Sequence, residues 1–418
     1  MAAQLKSRIK GILFLAHRIP YPPDRGDKMR SFHLMKALRT LGPLHIGAFA
    51  DDARDMGFAD ALGEWTASHR IVLRSPGKGG TGKLGAAASA LMGGMPMSVS
   101  LFDDKGLHAY VAETIAARPI SHIFVFSGQM AHYVPEDFAG RFIMDFVDVD
   151  SEKFAGYAKD PATGFAMRQI YAREAKQLAA FEQRTAARAD VSLFVSEAEA
   201  ALFRERSGLG RTRVVALENG IDLAAYDPAV QRAPVAHPGI APDAPLIIFT
   251  GQMDYRPNIE AVTLFARETM PLIRARQPGA QFAIVGRQPS PEVEALGKLP
   301  GVIVTGAVED VKAWLAAADV VVAPLRLARG IQNKVLEAMA MARPVVASPA
   351  AAEGIDAVAG RDLLVADGPA AEADAVLGLL ATPMRARLIG AAARKRMVER
   401  YGWDAALTAL PQIMTGGA

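Results

Sequence analysis

The sequence predicts an α/β protein built from two doubly wound, Rossmann-like domains of parallel sheet, and three observations lead there. Short apolar runs alternate with helical stretches along the chain. A proline- and alanine-rich segment, residues 229–245, interrupts that pattern once, and the pattern then restarts. At 418 residues the chain can form two cores, given roughly 150 residues per domain.

In the first half the apolar runs are GILFLAH (Gly11 to His17), LHIGAFA, HRIVLR, HIFVFSG, RFIMDFV, VSLFVS and RVVALEN. They are continuous rather than alternating, as expected of strands buried on both faces. In the second half LIIFTG, QFAIVG, VIVTG, VVVAP, PVVAS and LLVAD are separated by helical segments such as Asn258 to Arg276 and Val311 to Ala318. Strand, helix, strand order demands right-handed crossovers and a parallel sheet. The expected organisation is a first domain at 1–228, a linker at 229–245, a second domain at 246–382, and helices at 383–418 crossing back to the first domain. Ligands are expected at the carboxyl ends of the strands, facing an interdomain cleft.

The first residues, MAAQLKSRIKGILFLAH, place basic residues before an apolar run in the manner of a secretory signal. The run is short and lacks a small-residue cleavage site, so it reads as a first buried strand, with a cytoplasmic location as the expectation. Leu84 to Phe102 carries no charge across a length that could nearly span a bilayer, yet contains Gly85, Gly93, Gly94, Pro96 and three serines. That composition argues against a transmembrane helix; the segment either packs in its lobe or lies on a membrane or acceptor.

With 51% hydrophobic, 22% charged and 7% aromatic residues, disorder and fibrous structure are excluded. Zero cysteines exclude disulfides, thiolate zinc sites, iron–sulfur clusters and a cysteine nucleophile. A net charge of +3, from 47 basic against 44 acidic residues, is too even for a general nucleic-acid binder. The excess is local, because residues 1–50 hold Lys6, Arg8, Lys10, Arg18, Arg25, Lys28, Arg30, Lys36 and Arg39 against Asp24 and Asp27. A basic face on the first lobe is expected, either merely solvated or meeting anionic lipid or a phosphorylated substrate.

Among the motifs, Gly77 to Lys83 imitates a phosphate loop after a strand, but Leu84 stands where the magnesium-binding Ser or Thr belongs. No G-x-G-x-x-G follows a strand, and the eight histidines show no H-E-x-x-H or comparable spacing, so neither a dinucleotide nor a metal is expected. The informative run is Ala323 to Ala340, in which a strand ends, a loop containing Gly330 follows and a helix begins. The free N–H groups and positive dipole end of that helix suit a phosphate. Glu337, two turns in among Val335, Leu336, Ala338 and Met339, is an acceptor-only group suited to two ribose hydroxyls.

With Gly330 and the Val335-Leu-Glu337-Ala-Met-Ala340 run, the chain resembles the retaining glycosyltransferases of family 4, which have the GT-B architecture of two Rossmann-like domains. Further matching stretches are Arg18 to Arg30, Asp145 to Lys153, Val195 to Glu199, Glu218 to Asp222 and Gly251 to Asn258. Together they resemble the subgroup of sugar transferases associated with exosortase and exopolysaccharide loci. The resemblance implies transfer of a sugar from a nucleotide diphosphate sugar to a saccharide or lipid-linked acceptor, with retained configuration, without a metal and without a cofactor. The basic amino-terminal segment and the uncharged Leu84 to Phe102 stretch add the expectation of a peripheral contact with the inner face of the cytoplasmic membrane.

By the same resemblance, Arg329 stands where the family has its first Glu and is expected to face the donor diphosphate. The donor and acceptor contacts are expected from Gly26, Asp27, Arg30, Gln252, Arg256, Gly306, Val308, Gly330, Ile331, Gln332, Lys334 and Glu337. Asp148 is the candidate beside the reacting sugar, with Asp145 and Asp150 as neighbours that cap a helix or pair with Lys153. Asn258 and Ser196 read as helix N-caps. Two other readings stay open at this stage: a nucleotide-sugar epimerase of the same architecture, and a two-lobed binding protein without chemistry.

Overall fold

A computed structural model of the chain describes residues 9–74, 95–159, 163–235, 237–241, 243–328 and 331–416. It divides into two compact units, the first running to Asn219 and resuming at Leu407, the second being Gly220–Ala406.

The first unit is a seven-stranded sheet of β1 (Ile12–Ala16), β2 (Leu44–Ala50), β3 (Ser68–Leu73), β4 (His122–Phe126), β5 (Arg141–Val147), β6 (Val191–Phe194) and β7 (Val214–Ala216). The order is β3-β2-β1-β4-β5-β6-β7 and every pairing is parallel. Ile12 pairs with Leu44 on one side and His122 on the other, so the strand order reverses at β1. All residues of β1, β2 and β4 are buried, which is why they read as unbroken apolar runs. Helices α1 (Gly26–Arg39), α2 (Lys105–Ala117), α3 (Asp150–Lys159), α4 (Phe165–Arg188) and α5 (Glu197–Ser207) accompany this sheet. Ser196 caps α5 as expected, accepting from the Glu199 N–H.

The second unit holds β8 (Leu246–Thr250), β9 (Gln281–Val285), β10 (Val302–Gly306), β11 (Val320–Ala323), β12 (Val345–Ala347) and β13 (Leu364–Val365). Their order is β10-β9-β8-β11-β12-β13, again all parallel. Its helices include α6 (Arg256–Leu264), α7 (Val311–Ala317), α8 (Asn333–Ala340), α9 (Pro369–Ala381) and α10 (Pro383–Arg396). The helical stretch expected from Asn258 to Arg276 starts at Arg256 and passes through a π-turn at Phe265–Thr269, just before Pro271, which has no N–H to give to an α-helical bond. The two doubly wound parallel sheets are those the sequence predicts.

Three boundaries differ from the sequence reading. The units divide after Asn219 rather than at 228, because Ile221 bridges to Gly402 and the Gly220 backbone lies against Trp403. Residues 229–245 belong to the second unit: Arg232 donates to the Ala225 carbonyl, Gln281 donates to the Gly239 carbonyl, and Val235 and Ile240 pack on the second core. From 383 onward, α10 buries Ile389 and Ala393 in that same core, and the return to the first unit starts only at Leu407. There, His122 Nε2 meets the Met414 carbonyl at 2.9 Å and Arg141 donates to the Ile413 carbonyl at 3.0 Å.

The expected basic face is largely consumed by ion pairs. Lys28 is buried on Asp55 at 2.6 Å, Arg30 is buried on Asp145, and Arg18 joins Asp27 and Asp51. Apart from Asp27, the carboxylates that do this lie beyond the counted segment: Asp51, Asp55 and Asp145. Among the described residues no single helix is long and apolar enough to cross a membrane. Helices α9 and α10 extend to Tyr401 as a pair bent by 104°, with Val376, Leu379 and Ile389 in the second core. The phosphate-loop imitation at 77–83 and the segment 84–94 lie outside the described residues. Of the rest of that apolar stretch, Val99 and Phe102 are buried, and Glu174 accepts from Met97 and Ser98.

Candidate functional site

The carboxyl ends of β8, β9 and β10 border a cavity of about 580 Å³ in the second unit. It lies where the strand order reverses at β8, the usual ligand position of a doubly wound sheet. Thr250, Gly251 and Gln252 line it after β8, Gly286 and Arg287 after β9, and Val308 after β10. Ile331, Gln332, Lys334 and Glu337 approach from the start and body of α8. Backbone comes close here: a Cβ on Gly286 would stand 1.6 Å from the Gly251 carbonyl oxygen, so only glycine fits.

Two polar groups on α8 are held by partners from distant elements. Lys334 donates to Asn258 Oδ1 and its ammonium lies 4.3 Å from the centre of the Phe249 ring. Asn258 in turn donates to the Gln252 carbonyl at 2.8 Å. Burial lowers the Lys334 ammonium to about 8, against the pull of Glu337. Burial also pushes the Glu337 carboxyl above its ordinary range, partly offset by a hydrogen bond from the Tyr226 hydroxyl and by the Lys334 charge. Helix α8 begins at Asn333, and the Gln332 side chain makes no cap bond to its first turn. Chemically, the cavity offers a cation, a helix N-terminus and a desolvated carboxylate side by side, which is what a diphosphate joined to a diol requires.

Of the expected residues, Gln252, Val308, Ile331, Gln332, Lys334 and Glu337 share this cavity. Gly306 ends β10 with φ of 66°, two residues before Val308, and the register shifts there. Arg329 and Gly330 lie outside the described residues. Arg256 does not line the cavity: its side chain is 88% exposed and pairs with Glu260 at 2.8 Å along α6. Asn258 is not the N-cap of α6; Tyr255 is, and the Asn258 side chain is buried between Gln252 and Lys334.

In the first unit, Gly26 opens α1 and Asp27 accepts from Arg18 at 2.6 Å. Although burial acts in the opposite direction, the hydrogen bonds from His17 and Arg18 hold the Asp27 carboxyl well below its ordinary range. Arg30 is 1% exposed, donating to Asp145 and to Asn219 Oδ1, and is thus a buried structural cation. Asp148 pairs with Lys153 at 3.2 Å, and Asp150 pairs with the same ammonium at 3.0 Å. The preceding Val147 has φ of 73°, where the β5 register shifts.

Sequence reasoning missed Tyr226, Thr250, Gly286 and Arg287. Thr250 and Gly286 left a trace, each at the end of a quoted apolar run, whereas Tyr226 and Arg287 reach Glu337 or the cavity from elements remote in sequence from α8.

Residues 244–382 match the family described as Glycosyl transferases group 1. The chain is 32% identical over 166 residues to a phosphatidyl-myo-inositol mannosyltransferase of Propionibacterium freudenreichii subsp. shermanii, covering 40% of each chain. It is 29% identical over 258 residues to a D-inositol 3-phosphate glycosyltransferase of Kineococcus radiotolerans, covering 56% of this chain and 58% of that one. The chain thus spans about half the length of the curated relatives it matches. Among solved structures, the sucrose-phosphate synthase of Thermosynechococcus elongatus superposes with a TM-score of 0.59 at 19% identity, covering 97% of this chain and 98% of that one. Anabaena HepE in complex with UDP gives 0.57 at 14% identity, over 97% and 100%. WaaG, a glycosyltransferase of lipopolysaccharide biosynthesis, gives 0.54 at 17%, over 97% and 100%. Both parallel-sheet units therefore have the fold of the GT-B glycosyltransferases, and residues 244–382 carry the similarity to Glycosyl transferases group 1.

Proposed function

We propose that the chain transfers a sugar from a nucleotide diphosphate sugar to an acceptor hydroxyl, with retained configuration and without a metal at the reacting diphosphate. The observation that carries this is the convergence of the α8 N-terminus, Lys334 and Glu337 on one cavity at the strand ends. Helix N–H groups and the Lys334 ammonium take the diphosphate, Arg287 adds a second cation, and Glu337 accepts from the ribose hydroxyls. Arg329 remains the proposed further contact to the diphosphate, and Asp148 the proposed carboxylate beside the reacting sugar. Catalysis rests on orientation and on stabilising the leaving diphosphate. The names of the matching relatives support this class, and HepE was crystallised with UDP and with UDP-glucose.

The proposed setting is exopolysaccharide or lipid-linked glycan assembly at the cytoplasmic membrane face, with exosortase-associated transferases as the nearest analogy. Inositol-bearing acceptors join the candidates through the relatives' names. A peripheral contact is supported by α4, whose Phe165, Met167 and Ile170 are 72%, 42% and 44% exposed, with the half-buried Arg168 between them.

The test incubates the full chain with nucleotide diphosphate sugars and saccharide, inositol or lipid-linked acceptors, with and without EDTA. A glycosylated product with the donor's anomeric configuration, formed equally in chelator, is expected. Free epimer without acceptor product, or saturable nucleotide binding with no turnover, would replace this reading by an epimerase or a binding protein. Loss of turnover in EDTA restored by Mn²⁺ or Mg²⁺ would remove the metal-free mechanism. Sedimentation with anionic but not neutral vesicles, reversed by salt, is expected of the membrane contact.

A further inference from the structure

In the first unit, far along the sequence from the cavity residues, three metal-ligating side chains converge. Asp103 precedes α2, His108 lies in its first turn, and His132 sits in the 3₁₀ turn Gly128–Tyr133 after β4. Their ligand atoms all lie within 4.8 Å of one another. His108 Nε2 is 2.9 Å from Asp103 Oδ1, and His132 Nε2 is 3.6 Å from the same oxygen. With zinc–ligand bonds of about 2.0–2.1 Å, the edge of a tetrahedral site is about 3.3 Å, and the two observed separations bracket that value.

His132 supplies the second, independent observation. Its side chain is 7% exposed, and neither ring nitrogen has a hydrogen-bond partner of good geometry. A buried imidazole that makes only loose contacts, with Asp103 and the Gln129 backbone, gains from a ligand that binds it at full strength. The rings are already oriented: Tyr133 packs against His108 at 4.3 Å and His132 at 4.1 Å between centroids. Tyr133 itself is fixed, donating to the Phe102 carbonyl and accepting from the Asp104 N–H.

We propose that Asp103, His108 and His132 bind a divalent transition-metal ion of the zinc class, through Asp103 Oδ1 and the Nε2 atoms of the two histidines. Two imidazoles and one carboxylate suit zinc, cobalt or nickel better than magnesium or calcium, which prefer oxygen. Three protein ligands leave the fourth position for water or an exchangeable anion. The ion ties the start of α2 to the turn after β4, so it acts on the stability of the first unit and has no part in the diphosphate chemistry proposed for the second.

The full chain, stripped with chelator and dialysed, is titrated with Zn²⁺ against a chromophoric chelator, and with Co²⁺ by visible absorption. One equivalent, intense tetrahedral-type Co²⁺ bands, and a Tm that rises with Zn²⁺ concentration are expected. His108→Gln and Asp103→Asn change exposed side chains; each should weaken the metal at least tenfold, and together they should abolish the Tm response. His132→Phe fills the buried space without a ligand, and should lose the metal while the stripped chain melts no lower than the stripped wild type. No stoichiometric uptake, a weak octahedral-type Co²⁺ spectrum, or uptake unchanged in the double variant would overturn the site.

Discussion

Arg30 and Asp145 form an ion pair of 2.9 Å with side chains only 1% and 0% exposed. It joins α1 to β5, and Arg30 also donates to Asn219 at 2.9 Å. Burial raises the Asp145 carboxyl, with Arg30 opposing the shift. Removing one partner strands a buried charge, so Arg30→Ala should lose about 3–5 kcal/mol in urea unfolding. Arg30→Met combined with Asp145→Leu should recover much of that loss. An Arg30→Ala chain of unchanged stability that loses only acceptor binding would return Arg30 to the substrate site.

Glu337 is the carboxylate assigned to the donor ribose. Charge-assisted hydrogen bonds contribute roughly 1.5–3 kcal/mol, so Glu337→Ala should lose about tenfold to a few hundredfold in donor affinity or catalytic efficiency, with Glu337→Gln between. The sequence alone gives no reason for the fold to suffer. The structure does, because the Tyr226 hydroxyl loses its acceptor. Tyr226→Phe separates the effects: stability recovers in the double variant Glu337→Ala with Tyr226→Phe, while donor binding stays lost. Unchanged donor binding in folded Glu337→Ala would remove the ribose assignment.

Two arginines at neighbouring strand ends should behave oppositely. Arg287 lines the cavity and reaches Gln252 Oε1 at 3.4 Å. Arg287→Ala should weaken a nucleoside diphosphate roughly tenfold by calorimetry. Arg256→Ala, which disturbs only a surface pair along α6, should leave affinity unchanged within error. The reverse outcome would mean that the loop after β8 rearranges when the donor binds.

The Lys334 ammonium, lowered to about 8 by burial, loses its proton as pH rises through that value in the ligand-free chain. A bound diphosphate favours the charged form, so binding above this pH takes up a proton and weakens as pH rises. By linkage the affinity for UDP at about pH 9 should be on the order of tenfold below its plateau near pH 7. Calorimetry in buffers of different ionisation enthalpy checks the proton uptake, and Lys334→Met should flatten the profile. A wild-type affinity independent of pH would show that this ammonium does not meet the phosphates.

Both sheets were legible because their central strands, such as β1, β4, β8 and β11, are buried on two faces and leave no polar alternation to confuse the reading. That Gln332, Lys334 and Glu337 line one cavity was legible because the first is the N-cap of the helix that carries the other two at short spacing. Tyr226 and Arg287 were not, since only the crossover topology brings them to those residues. The same holds for Asp103, His108 and His132, whose spacing fits no local metal motif. Asn258 looked like a cap because it precedes an apolar helical stretch, but α6 begins earlier, at Arg256, and frees the amide to support Lys334. The ion pair of Arg30 was illegible for a related reason: its acidic partner lies on a strand more than a hundred residues away.

Leu410 and Met414 are fully buried in the unit that begins with β1, although the whole second unit is translated before them. At roughly 5–20 residues per second, synthesis of that second unit occupies on the order of ten seconds or more. Throughout that interval the nascent first sheet has β1 to β7 but lacks the residues whose carbonyls receive His122 and Arg141. The unit made second is therefore the one whose complete sequence leaves the ribosome first, and a chaperone engaging the nascent chain would find its target at the uncovered strand starts around His122 and Arg141.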